Sequence, residues 1–265
     1  MRYLLFLLCL LPLLAQAKVN IVTSILPLQQ ITAAIMQGAG EPELLIKNQH
    51  SAHHFAFKPS HFQTLKSADL VIWIDRHFES GFQRMPEILS QSTTSLELLR
   101  ALNLENADGH IWYSPKLLRD MIEQISESLI KIDPTQADIY QANTKTLQQA
   151  IAEWAQATEN QFASAKPQYL LDHEFLAHFQ TYFQLQAVAT IHDSHDQHGG
   201  IQAMRLIEKQ LGDSAAKCLL TNEPAVSKIG RNLADKFALS VHYIGPTDSF
   251  VNHLYSLTKT LAKCH

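Results

Sequence analysis

Between Asp133-Pro134 and Lys166-Pro167 the sequence holds a helical pattern with no breaker in it. Asp before Pro reads as an N-cap followed by proline at the first helical position. Ile139, Leu147, Ile151, Trp154 and Phe162 then fall in one sector, at spacings of three, four or eight. A helix of about 32 residues would be ~48 Å long, more than one lobe of a chain this size can use. The pattern predicts a stiff spine along two lobes.

On both sides of that spine, short apolar runs alternate with helical patterns, the signature of parallel βα units. Residues 19–23, 43–46 and 70–74 read as strands before it. So do residues 169–171, 187–191, 218–221 and 240–244 after it. Helices are predicted from Pro27 (Leu28, Ile31, Ile35), from a Ser60 N-cap to Ser67, and from Ser114-Pro115 (Leu118, Met121, Ile122, Ile125, Leu129). Three more carry Met204, Ile207 and Leu211; Val226, Ile229, Leu233 and Phe237; and Val251, Leu254, Leu257 and Leu261. The expected fold is α/β: two βα lobes with mainly parallel sheets, linked by one long rigid helix. The divisions are 18–132, 133–166 and 167–265.

Residues 1–17 read as an export signal. Arg2 precedes an apolar run at 4–14, and Ala15-Gln16-Ala17 offers a small-x-small cleavage site after Ala17. The run falls short of the ~20 apolar residues that span a bilayer. A buried N-terminal helix is the alternative. Cleavage would leave Cys218 and Cys264. An even pair in an exported protein reads as a disulfide, with two buried thiols as the other possibility. A net charge of -4 provides no basic field for nucleic acid.

Fourteen His against three Cys is the compositional oddity, because imidazole titrates near neutrality and is the commonest metal ligand. In open α/β sheets ligands sit beyond the carboxyl ends of strands. His53 follows the 43–46 strand, His110 precedes the Ser114-Pro115 helix start, and His173 comes two residues after Leu171. Three neutral imidazoles from two lobes suit Zn²⁺ in the interlobe cleft. By spacing alone, three unrelated surface or capping histidines fit equally well.

Ser51-Ala52-His53-His54-Phe55-Ala56-Phe57-Lys58-Pro59-Ser60, with Ala68-Asp69-Leu70-Val71-Ile72-Trp73 after it, resembles a segment of the metal-binding substrate receptors of bacterial ABC transporters, the periplasmic zinc receptors above all. Gly109-His110-Ile111-Trp112-Tyr113-Ser114-Pro115 is similar to that family's second His motif. Asp172-His173-Glu174-Phe175, followed by Phe179 and Tyr182-Phe183-Gln184-Leu185, resembles the third, and Asn222-Glu223-Pro224 its Glu-Pro turn. The Cys218/Cys264 pair matches a disulfide of the zinc branch. The resemblance implies two lobes bridged by a rigid helix, with His53, His110 and His173 as metal ligands. It also implies a monomeric periplasmic receptor that delivers Zn²⁺ to an inner-membrane ABC permease driven by a cytoplasmic ATPase.

Three positions depart from the family pattern. Ala52 stands where a Glu often precedes the first His. The acidic fourth-ligand region reads Gly245-Pro246-Thr247-Asp248, where Asp248 is either a ligand or a cap for the last helix. Residues 93–109 lack the family's His-rich loop. Instead His192, His195 and His198 cluster with Asp193 and Asp196, either as a weak auxiliary metal loop or as a solvated turn. Glu223 is expected to shape the cleft or orient a ligand. Trp73 and Trp112 are expected to pack beside it, and His178, His242 and His253 to be satisfied structural histidines. Rival functions are a secreted zinc-dependent hydrolase with Glu174 as base, and a metal chaperone or adhesin on the same scaffold. No His-Glu-x-x-His pattern supports the hydrolase.

Overall fold

A computed structural model describes residues 19–47, 55–192 and 201–264. Residues 1–17, expected to be an export signal, and His53, His195 and His198 lie outside the described residues. In the first lobe the elements run β1 (Ile21–Thr23), α1 (Leu26–Ile35), β2 (Glu43–Leu44), α2 (Pro59–Ser67), β3 (Leu70–Trp73), α3 (Met85–Ile88), β4 (Thr94–Glu97) and α4 (Leu98–Ala101). Next come α5 (Pro115–Ile132) and α6 (Ala137–Phe162). The second lobe comprises β5 (Tyr169–His173), α7 (Ala177–Phe183), β6 (Ala189–His192), α8 (Ile201–Gly212), β7 (Cys218–Thr221), α9 (Lys228–Phe237), β8 (Ser240–Tyr243) and α10 (Phe250–Leu261).

The two sheets repeat one plan. Their strand orders are β2-β1-β3-β4 and β6-β5-β7-β8, and each pairing is parallel. The central strands β1, β3 and β7 are buried along their whole length, as apolar strands covered by helices on both faces must be. Strand β4, Thr-Ser-Leu-Glu, was not expected. Only Leu96 of it is buried, so this edge strand carries no apolar run to announce it. Helix α2 starts at Pro59 instead of being capped by Ser60; its N-cap is Lys58, whose backbone N–H donates to His61 Nδ1 at 3.0 Å.

The spine is shorter than expected. Asp133 finishes α5, its N–H donating to Leu129 O at 2.8 Å, and residues Pro134–Gln136 form a 3-10 turn. The α-helix proper has 26 residues, about 39 Å, and Asp133 holds Thr135 and Tyr140 side chains instead of capping it. Its two halves nonetheless serve the two lobes. Asn143 Nδ2 donates to Ile35 O and Gln37 O at the end of α1 (2.9 and 2.8 Å), and Thr144 bonds Ser126 of α5 at 2.9 Å. Farther along, Trp154 Nε1 donates to Thr258 of α10 at 3.0 Å and its ring packs on Phe179 and Phe183 of α7.

One hydrophobic core therefore runs through both lobes around α5, α6 and α10, and a smaller one fills the far face of the second sheet beneath α8 and α9. In α9 the buried residues are Gly230, Leu233 and Ala234, whereas Ile229 is exposed. Cys218 in β7 and Cys264 after α10 form a disulfide. Among the described residues, no helix is long and apolar enough to cross a membrane.

Candidate metal site

His110 is held by its own local sequence. Asp108 Oδ1 accepts from the His110 backbone N–H at 2.9 Å and pairs with ring Nδ1 at 3.0 Å. An Asp two residues before a turn forms this Asx geometry readily. Burial pushes the Asp108 carboxyl up, but the hydrogen bonds and charge of His110 outweigh it and hold the group below its ordinary range. Nδ1 is thus the ring nitrogen turned to the carboxylate. A carboxylate behind a ligating imidazole fixes its tautomer and raises its basicity.

Gly109 lets an aromatic wall close on that ring. A Cβ at 109 would lie 2.2 Å from the Phe78 ring, which packs edge-on to His110 with centroids 4.9 Å apart. Trp112 flanks the same pair, while Trp73 stacks on Phe82 and donates to Ser95 at 2.9 Å. After His110 the chain makes a 3-10 turn at Ile111–Tyr113, and Ser114 caps α5 by accepting from Leu117 N.

His173 ends β5; the strand runs two residues past the predicted Leu171, and its register partner is His192 of β6. The His173 ring lies 5.8 Å from that of His110. For two imidazoles on one tetrahedral Zn²⁺ with bonds of ~2.0–2.1 Å, centroids stand roughly 5 Å apart. The buried Phe175 ring contacts both imidazoles. The neighbours of His173 are committed elsewhere. Asp172 accepts from the N–H and hydroxyl of Ser227, the residue that caps α9. Glu174 accepts from Leu176 N, Gln180 Nε2 and Thr190 Oγ1.

Asp248 is exposed, and its carboxylate accepts from Asn252 Nδ2 at 2.9 Å; the N-cap of α10 is its neighbour Ser249. The loop it occupies reaches the first lobe through Gln30 Nε2, which donates to Thr247 O at 2.8 Å. Glu223 lies close enough to Tyr243 to help burial push that phenol up. Among the described residues, no group of three His, Cys, Asp or Glu is placed to hold a metal. The structure thus brings two predicted ligands together, and the third lies outside the described residues.

The family described as "ZnuA: Zinc-uptake complex component A periplasmic" matches residues 21–264. The chain belongs to this family. Two high-affinity zinc uptake system proteins show the same relationship. The one from Yersinia pestis is 26% identical, covering 94% of this chain and 92% of its own length. The one from Haemophilus ducreyi is 22% identical, covering 87% and 85%. The crystal structure of a ZnuA superposes with a TM-score of 0.83 at 18% identity, over 94% of this chain and 99% of that one. The family is one of substrate-binding receptors, and its description places its members in the periplasm.

Asp108 was missed in the sequence, although Asp-Gly-His is a short-range signal that could have found it. Phe78 was invisible as a site residue, because aromatic walls carry no spacing rule, and Phe175, quoted within the third motif, had been given no role of its own. His178, expected to be merely structural, donates from Nε2 to Asp108 O at 2.8 Å across the lobe junction. His253 is buried between Tyr113 and Gly245.

Proposed function

We propose that the chain is a high-affinity extracytoplasmic receptor that captures Zn²⁺ and delivers it to an ABC permease for import. The observation that carries this reading is the meeting of His110 and His173 from separate lobes, with Asp108 orienting the first ring. His53 is the third ligand in this reading, and Asp248, released from Asn252, or water is the fourth. A mostly imidazole shell rejects Mg²⁺ and Ca²⁺, which prefer all-oxygen sites. Cu²⁺ and Ni²⁺ bind such sites well in vitro, so selection in the cell also rests on availability.

In the same proposal residues 1–17 are cleaved after Ala17, the mature chain divides at 18–132, 133–166 and 167–265, and the receptor works as a monomer. His192, His195 and His198 take a second, weaker zinc equivalent. A hydrolase finds less support, since the carboxylate nominated as its base, Glu174, is already engaged by three donors.

The test is elemental analysis of protein from the export compartment, joined to zinc titration of His53→Ala, His110→Ala, His173→Ala and Asp248→Asn. Loss of tight binding in the three His variants supports the reading; unchanged affinity in His110→Ala overturns it. One zinc equivalent, unaltered when His192, His195 and His198 are all replaced by Ala, removes the auxiliary loop.

A further inference from the structure

His110 belongs to the first lobe by chain order, yet the segment that carries it is held at both ends by the second. At the front, His178 of α7 donates from Nε2 to the carbonyl of Asp108 at 2.8 Å. At the rear, His253 of α10 lies 3.0 Å from Tyr113 Oη through Nε2 and 3.0 Å from Gly245 O through Nδ1. A carbonyl only accepts, so Nδ1 of His253 carries the proton, Nε2 accepts, and Tyr113 donates. Burial lowers the pKa of His253, which agrees with a neutral ring in this fixed tautomer.

We propose that His178 and His253 are positioning residues for metal capture: from α7 and α10 they grip the two ends of the 108–113 segment, so that His110 is registered on the second lobe beside His173. This rests on the reading of His110 and His173 as ligands.

Physical considerations favour positioning over plain packing. Apolar side chains at 178, 113 and 253 would fill the same space without fixing a direction. Here each hydrogen bond has one permitted donor and acceptor, and those to Asp108 and Tyr113 cross between lobes. Among the described residues, the 108–113 segment receives both. His178 acts on the carbonyl of the residue whose carboxylate orients the His110 ring, so a shift of Asp108 displaces the ring directly. His253 couples the other end to the Gly245–Asp248 loop. Phe78, from the first lobe, touches the same ring, but an edge-on aromatic contact tolerates sliding that a directional hydrogen bond does not. The pair of imidazoles is therefore held together before any ion arrives.

The experiment compares zinc affinity, by chelator competition, for the parent, His110→Ala, His178→Phe, His178→Gln, His253→Phe and Tyr113→Phe. Each is measured well below its own apo melting temperature, so that lost stability is not read as lost binding. Cobalt(II) absorption reports the coordination geometry independently. His178→Phe, His253→Phe and Tyr113→Phe are each expected to weaken zinc about 10-fold and to alter the cobalt spectrum. His178→Gln, which keeps a donor, is expected to recover most of the loss. His178→Phe is expected to add nothing in a His110→Ala background.

If His110→Ala loses binding while the His178, His253 and Tyr113 variants stay within two-fold of the parent with an unchanged cobalt spectrum, the positioning proposal is overturned and the ligand reading stands. Failure of His178→Gln to recover affinity, or full additivity with His110→Ala, also overturns it. Intact affinity in His110→Ala overturns both.

Discussion

The rings of His110 and His173 stand 5.8 Å apart with their planes inclined by 52°, although one follows the first sheet and the other ends the central strand of the second. No local interaction brings them together. Helix α6 spans both lobes, its first half bonded to α1 and α5 and its second half to α10. A continuous helix bends little, so it limits how far the lobes can part, while bonds from α7 and α10 reach the segment that carries His110.

Replacing either imidazole should remove most of the affinity. His110→Ala and His173→Ala are each expected to weaken zinc by about 100-fold or more, beyond the range of supporting residues. Zinc at a thousand times the parent dissociation constant should stabilise the parent by ~4.1 kcal/mol. Scanning calorimetry with and without zinc should show that gain reduced in both variants.

Asp108 should matter through His110. Asp108→Ala is expected to cost about 10–100-fold in zinc affinity, and Asp108→Asn less, since its amide oxygen still accepts from Nδ1. Because the Asp108 carboxyl is held below its ordinary range, its contribution to folding is present above the unfolded pKa and is lost only as pH falls through the lower folded value. Zinc affinity should also fall with pH, because protons compete with the metal for the imidazoles that bind it. Titration calorimetry between pH 5 and 8, run on parent and Asp108→Asn, reads both effects.

Glu79 should make stability fall as pH rises. Its side chain is fully buried with Oε2 accepting from Ile74 N at 2.7 Å, and burial pushes its pKa up to about 8 from 4.5. Between those values the folded state keeps a proton that the unfolded state has released, so stability declines with pH until the folded group also ionises. The full effect is on the order of 5 kcal/mol. Denaturant unfolding of Glu79→Gln should lack this component, making the variant gain on the parent from pH 5 to pH 8; parallel profiles would refute it.

The disulfide should stabilise the second lobe. Cys218 and Cys264 are 46 residues apart in sequence, and closing a loop of that length is worth ~4 kcal/mol in the chain-entropy model. Cys218→Ser with Cys264→Ser, or reduction of the parent, should lower the melting temperature. The effect on zinc affinity should be small, because the bridge ties β7 to the end of α10, beyond the turn that carries His253.

Much of the fold was legible because it follows from local patterns. Parallel strands buried on both faces need unbroken apolar runs, and β1, β3, β5 and β7 have them. Strand β4 escaped because its sheet edge asks for one apolar residue, Leu96. The start of α6 was misplaced because Asp133-Pro134 satisfies two roles at once, and the end of α5 claimed Asp133 before α6 could.

By itself the sequence determined two βα lobes, a breaker-free helix between them, the Cys218–Cys264 pair and the histidines worth suspecting. These depend on periodicity, breakers and residue chemistry, which act over a few neighbours. Only the tertiary structure decided that His110 meets His173 and that His178 and His253 hold the two ends of the 108–113 segment. Those outcomes depend on distances between residues remote in sequence. Such distances are set by how helices and sheets pack, and no run of residues encodes them singly.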